Sequence, residues 1–356
     1  MNKYWSELTK SLSPYEPGEQ PQDRKYLKLN TNENPFPPSE LVLNTIKESV
    51  TDSLRFYPDP DALKLKKAIS TYYNIDTDSV FVGNGSDEVL AFSFLAFFKE
   101  KPAISFPNIT YSFYPVYCNI FEIEFNTFSL NDTFEIDIDA IPAESGGIIF
   151  PNPNAPTGVY LGISKIEEML LRFPNIVVVV DEAYIDFGGE SCVNLTHKYH
   201  NLLVVQTFSK SRSLAGLRVG FSIGHPSLIQ ALNRVKNSFN SYPLDSLAIA
   251  GAVSAINDNS YFTYCCNQIV EAREFLANEL TSLSFQVLPS KANFLFVKHS
   301  VLDASLIYSS LKENGILVRH FKNPDVSDYL RITVGKKEDM IILVKCLKSI
   351  IEAQRV

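Results

Sequence analysis

Cysteine is scarce and unpatterned. The five in 356 residues, Cys118, Cys192, Cys265, Cys266 and Cys346, include no C-x-x-C pair and no zinc-ligand spacing. A disulfide scaffold and a zinc ribbon are therefore not expected, and reduced structural thiols in a cytoplasmic protein are. The five histidines contain no H-E-x-x-H arrangement, so metal catalysis has no support. Long apolar runs are missing too. The strongest, Val89 to Phe98, is far too short to cross a bilayer. The opening MNKYWSELTKS lacks the apolar core of a secretory signal, so none is expected. Positive charge is in deficit, with 32 Lys and Arg against 40 Asp and Glu. The resulting net charge of -8 argues against a nucleic-acid or anionic-membrane partner. It leaves room for local basic pockets.

What is present is an ordinary globular composition, 45% apolar and 20% charged, at a length that suggests about two domains. The first stretch, to about Pro38, is polar and proline-rich and reads as an extended arm with turns. Beyond it, expected helices (Leu41 to Ser53, Ala62 to Tyr73, Asp87 to Lys99) alternate with short β-branched runs near Val80–Val82, Ala103–Phe106, Ile148–Phe150, Ile176–Val180 and Leu202–Gln206. Continuous apolar runs of this kind suit strands covered on both faces, hence an α/β fold with a largely parallel sheet. After about Ala255 a long helical stretch (Tyr261 to Leu283) precedes strands near Phe294–Val297, Ile316–Val318 and Leu330–Thr333, which suggests a smaller α+β domain. The expected division is a large domain over 36–255, with the arm 1–35 and a small domain over 256–356. No internal repeat or low-complexity segment interrupts it.

Ligands of open α/β sheets bind beyond the carboxyl ends of the strands, and four polar clusters fall there. VVVVDEAY ends an apolar strand on Asp181, a costly place for a carboxylate without a partner. A protonated ring nitrogen is one partner that needs it, and Tyr184 three residues on could reach an oxygen of the same ring; a Walker-B carboxylate or a capping Asp remains open. In TFSKSRSLAGLRVG, Lys210 follows a strand among small hydroxyl residues, a setting in which burial makes a lysine amine nucleophilic. Arg218, eight residues later, has the fork of donors suited to a phosphate, with Ser209 in support. A Ser-Lys hydrolase would leave Asp181 and Arg218 without a role. GNGSDE opens a helix after a strand, so N–H groups from Gly85 through Ser86 to Asp87 can face an anion. As a dinucleotide fingerprint it lacks its third glycine.

NPNAPTG, DEAY, TFSKSRSLAGLRVG and LRITVG, in this order and spacing, resemble the class II, fold-type I pyridoxal-phosphate aminotransferases over essentially the whole chain. The arm motif LNTNENPFPPS and the pair ILVRH and YLRITVG look most like the histidinol-phosphate aminotransferase branch. The resemblance implies a mostly parallel seven-stranded sheet between helices, and pyridoxal 5'-phosphate as cofactor on a Lys210 Schiff base. Asp181 would pair with the pyridinium nitrogen, and Tyr184 with an Asn of the NPNAPTG turn would bond the 3-hydroxyl oxygen. Many relatives carry Asn directly before P-T-G; here that residue is Ala155, which leaves Asn154 or Asn152 for the role. Tyr111 would stack on the ring. Ser209, Arg218, Gly85, Ser86 and Asp87 would hold the phosphate. Tyr57 would reach it across the interface of a homodimer with shared sites. Arg319 and Arg331, helped by Tyr15, would clamp the substrate phosphate, and Arg331 would also take the carboxylate of glutamate or 2-oxoglutarate. Asn32, Glu33 and Asn34 mark the branch without an evident chemical role.

The activity this implies is ping-pong transfer of an amino group from L-histidinol phosphate to 2-oxoglutarate, as in histidine biosynthesis. Lys210 would serve as general base and acid. A threonine-phosphate decarboxylase and an aromatic amino-acid aminotransferase would share most of these motifs. A nicotinamide-dependent dehydrogenase would leave Lys210 idle. A regulator on this fold would carry an added DNA-binding segment, and no basic helix-turn-helix pattern precedes Leu27.

Overall fold

The apolar runs Val80–Asn84, Ile104–Pro107, Ile148–Pro151, Val178–Asp181 and Leu202–Thr207 are strands buried along nearly their whole length. Successive side chains point to opposite faces. Val178, Val180, Leu202 and Val204 therefore pack into one helix-covered layer, and Val179, Leu203 and Val205 into the other. In the computed structural model, which describes residues 3–15 and 18–354, these strands join two more in a seven-stranded sheet. Its order is Val80–Asn84, Val219–Gly224, Leu202–Thr207, Val178–Asp181, Ile148–Pro151, Ile104–Pro107, Phe125–Phe128. Val219–Gly224 runs antiparallel to both neighbours, and every other pairing is parallel.

Two of these strands carry no apolar-run signal. Phe125–Phe128 is an edge strand of mostly exposed residues, so burial never selected a continuous run there. Val219–Gly224 carries glycines at both ends of its apolar centre. Gly220 is there for space, since a Cβ on it would lie 2.2 Å from the Ser86 backbone nitrogen. Some helices also differ from expectation. The first after the arm is Glu40–Ser49, capped by Ser39 Oγ on the Val42 N–H. Thr51 then caps a separate 3-10 turn at Asp52–Arg55, which ends the expected longer helix. The helix expected from Asp87 starts at Gly85 and turns π-helical over Phe94–Phe98. The arm contains a short helix, Glu7–Ser11, capped by Ser6.

A second sheet of four antiparallel strands has the order Arg319–His320, Leu330–Thr333, Phe294–His299, Phe285–Val287. Its core is shared with the helices Asn259–Ser282 and Lys337–Ala353. The arm strand Leu27–Lys28 pairs in parallel with Ile316–Leu317, which ties the arm beside this smaller sheet. The arm then reaches the carboxyl ends of two strands of the large sheet, where Asn32 bonds Tyr184 beyond Asp181 and Asn34 bonds the Lys210 carbonyl beyond Thr207. No helix among the described residues is long and apolar enough to cross a membrane.

Candidate active site

Asp181 is the last residue of its strand and is only 4% exposed. It accepts hydrogen bonds from Tyr114 Oη at 3.2 Å and from the Ala183 N–H at 3.2 Å, and no cation pairs with it among the described residues. Burial pushes its carboxyl up to about 7 against the pull of these two donors. A cation placed beside it would restore the ionised form.

The amino end of the helix Gly85–Ser93 has no side-chain cap, so its first N–H groups are available to an anion. Arg218 is aimed at it from a left-handed backbone (φ 53), a conformation that costs a non-glycine residue on the order of 1 kcal/mol and gathers at functional sites. Its guanidinium bonds Asp87 Oδ2 at 2.9 Å and Ser209 Oγ at 3.5 Å. Gly85 (φ 78) makes room for it, because a Cβ there would lie 2.5 Å from Arg218 Nη2. Asp87 also accepts from Tyr111 Oη at 3.0 Å, so one network holds four of the expected phosphate and ring contacts together.

Lys210 Nζ reaches the Thr31 carbonyl at 3.3 Å and lies 5.6 Å from the centre of the Tyr184 ring. The arm motif that lacked a role in sequence holds this loop. Asn34 Nδ2 donates to the carbonyls of Lys210 and Ser211 at 3.0 and 3.1 Å. Asn32 Nδ2 donates to Tyr184 Oη at 3.0 Å, and Glu33 accepts from Lys28 and Thr31. Tyr114, the donor to Asp181, carries no sequence feature that distinguishes it among 17 tyrosines.

On the opposite wall, Arg319 and Arg331 face one another as register partners on adjacent antiparallel strands. Arg331 Nη2 donates to the Asn30 carbonyl at 3.1 Å, while its Nε is buried without a partner. Burial, and then the nearby Arg319 charge against the pull of Tyr184 and Tyr15, lower the Arg331 guanidinium below its usual range. Tyr15 stands between the walls, 6.4 Å from the Tyr111 ring and 5.0 Å from Phe113.

Tyr15, Ser86, Asp87, Tyr111, Asp181, Tyr184, Ser209, Lys210, Arg218, Arg319 and Arg331 all line one cavity of about 500 Å³. Other expected contacts lie elsewhere. At the NPNAPTG turn the wall is Pro151, Ala155 and Pro156. Asn154 sits behind it with Nδ2 committed to the Ile109 carbonyl and Thr157 Oγ1, and with Oδ1 unpartnered. Asn152 is spent on both sides of the Leu161 backbone. Tyr57 is 83% exposed and stacks on Tyr242 at 4.8 Å, outside the cavity.

A buried carboxylate lacking a cation, a lysine amine, an anion cradle on a helix end and an arginine pair fit a phosphorylated, cationic heterocycle that binds an amine covalently. The comparisons agree. The family described as aminotransferase class I and II matches residues 24–347. Histidinol-phosphate aminotransferase 1 of Hydrogenovibrio crunogenus is 54% identical over 354 residues, covering 99% of each chain. The histidinol-phosphate aminotransferase of Clostridium botulinum (strain 657) is 50% identical over 351 residues, again covering 99% of each. The crystal structure of the Sinorhizobium meliloti histidinol-phosphate aminotransferase in complex with pyridoxal-5'-phosphate superposes with a TM-score of 0.89 over 99% of this chain and 98% of that one. At 22% identity it speaks for the fold. The chain belongs to the class I and II aminotransferases.

Proposed function

We propose that this aminotransferase interconverts L-histidinol phosphate and 2-oxoglutarate with imidazole-acetol phosphate and L-glutamate, as a cytoplasmic homodimer. The carrying observation is the opposed pair Arg319 and Arg331 on the wall facing Lys210 and Asp181. Two guanidinium forks brought side by side on neighbouring strands can give charge-assisted hydrogen bonds to one anion held between them. A phosphate on the substrate is such an anion, and curated relatives at 50–54% identity carry the same activity in their names.

Pyridoxal phosphate, when bound, supplies a carbonyl carbon for the amine and a protonated ring that withdraws electrons from the substrate carbon. Asp181 Oδ would hold the ring-nitrogen proton. Tyr184 Oη would donate to the ring oxygen. Ser209, Arg218 and the N–H groups at Gly85, Ser86 and Asp87 would bind the phosphate, and Tyr111 would cover the ring. Lys210 Nζ would anchor the cofactor and, as a free amine, would serve as the base that takes the proton from the substrate carbon and the acid that gives it back. Tyr57 acts on the partner's site, which accords with its exposure and with the exposed Phe56, Leu54, Phe239 and Tyr242. All five cysteines are free thiols, as a reducing compartment allows. The proposed division at 36–255 and 256–356, with the arm 1–35, is supported by the cavity's lining, which takes Asp181 and Lys210 from the first unit, Arg319 and Arg331 from the second and Thr31 from the arm.

Adding L-histidinol phosphate alone to the purified yellow protein should bleach its visible band, and 2-oxoglutarate should restore it. A yellow protein that ignores histidinol phosphate and responds to threonine phosphate or phenylalanine would overturn the substrate assignment. The arginines divide the work. Arg319→Gln should lower kcat/KM for histidinol phosphate by about 10–100-fold, the weight of one charged hydrogen bond, and spare the glutamate half-reaction. Arg331→Gln should depress both half-reactions. Equal losses in both for Arg319→Gln would refute the division.

A further inference from the structure

We propose that Asn32 is a positioning residue for the Tyr184 hydroxyl, supplying a hydrogen to its oxygen so that the phenolic proton is left for the cofactor's ring oxygen. This rests on the cofactor placement proposed above and adds to it the residue that orients the donor.

Asn32 is 1% exposed and fixed on every side. Its backbone N–H donates to Thr333 Oγ1 at 3.0 Å, and Thr333 Oγ1 gives its own proton to Asn32 Oδ1 at 2.9 Å. Asn293 Nδ2 donates to the Asn32 carbonyl at 3.0 Å. With Oδ1 committed to Thr333, the NH₂ side of the amide must face Tyr184, and Nδ2 lies 3.0 Å from Tyr184 Oη. A phenol has one proton to give. Since the amide is the donor in that contact, the Tyr184 proton points elsewhere, and Tyr184 lines the cavity. The left-handed backbone of Asn32 (φ 56) is one that asparagine adopts more readily than most residues.

The neighbouring turn makes this orientation matter. Ala155 lines the cavity there and the two asparagines do not: Asn154 Nδ2 donates to the Ile109 carbonyl and Thr157 Oγ1, and Asn152 Nδ2 to the Leu161 carbonyl. Tyr184 is thus the donor this region offers to the ring oxygen. Its aim is set from the small sheet, through Thr333 and Asn293, by a residue of the arm.

The test is a double-mutant cycle read on the visible absorption of the pyridoxal-phosphate-loaded protein. A ring oxygen that loses a donor becomes more basic and holds the neighbouring proton more tightly, so the pH midpoint of the band moves up. Tyr184→Phe should raise it by about one pH unit, the weight of one hydrogen bond. Asn32→Gly, which tolerates the left-handed backbone and removes the amide, should raise it by roughly half a unit alone and by less than ~0.2 in the Tyr184→Phe background. Equal shifts in both backgrounds, or a folded yellow Asn32→Gly with the wild-type midpoint, would overturn the proposal. Should Asn32→Gly not fold, Asn32→Asp keeps the shape and loses the donor, and the same Tyr184-dependent difference decides. A wild-type protein that takes up no pyridoxal phosphate would instead overturn the cofactor placement, an outcome distinct from a yellow protein with unshifted variants.

Discussion

Lys210→Ala is expected to lower turnover by ~10⁴-fold or more while the protein still binds pyridoxal phosphate. Two functions are lost at once. General acid-base catalysis by a positioned group is worth roughly 10²–10⁴-fold, and the covalent anchor that orients the ring goes with it. No other lysine lines the cavity among the described residues. The proposed phosphate cradle should survive, because Arg218 is held by Asp87 and Ser209, and the Ser209 N–H by Thr207 Oγ1, rather than by the lysine. The Lys210 loop also keeps its shape, since Asn34 fastens it through the Lys210 and Ser211 carbonyls, which the substitution leaves in place. Equilibrium dialysis with pyridoxal phosphate and stopped-flow absorption with histidinol phosphate check the two halves. Turnover within about tenfold of wild type would refute the role given to Lys210, and loss of cofactor binding altogether would refute the cradle.

What sequence revealed of this site follows from where the chemistry sits along the chain. Asp181 and Lys210 stand at or just past the end of an apolar strand, so a charged residue after an apolar run already marks the rim, and Arg218 follows eight residues after Lys210 in the same motif. The structure brings them around one cavity. The arm motif was visible as letters and mute as chemistry, because its partners are far away in sequence: Asn32 meets Tyr184 and Thr333, and Asn34 meets Lys210. No local period encodes contacts of that separation. The fold shows the same division. The central strands were legible because both their faces are buried, whereas Val219–Gly224 was hidden by the glycine that lets it pass the Ser86 nitrogen. The Asn of the ring-oxygen contact could not be placed from sequence for a similar reason. Only the turn's geometry shows Ala155 at the wall and both asparagines behind it.

Asp181→Asn should change sign with the cofactor. Without it, burial raises the Asp181 carboxyl from 3.8 to about 7. Between those values the folded chain keeps a proton that the unfolded chain has released. Stability contributed by this group therefore falls as pH rises through the window, and the full cost is present above about 7. About three pH units correspond to ~4 kcal/mol as an upper bound. Asparagine carries no charge to bury, so the cofactor-free variant should be more stable than wild type at pH 8 by up to a few kcal/mol, with the gain gone near pH 4. Glu182, raised to about 7 by its own burial, leaves a residual slope in both proteins. With pyridoxal phosphate bound as proposed, the carboxylate would instead face a cation, and its replacement would strand the ring proton. Removing one partner of a buried charge pair costs about 2–5 kcal/mol, so kcat/KM should fall by roughly 10²–10³-fold. Thermal melts at several pH values with and without cofactor, beside steady-state kinetics, read both signs. A cofactor-free variant no more stable than wild type at pH 8 would mean that Asp181 is already satisfied without a ligand. An active variant with an unchanged pH profile would mean that the ring nitrogen has some other partner.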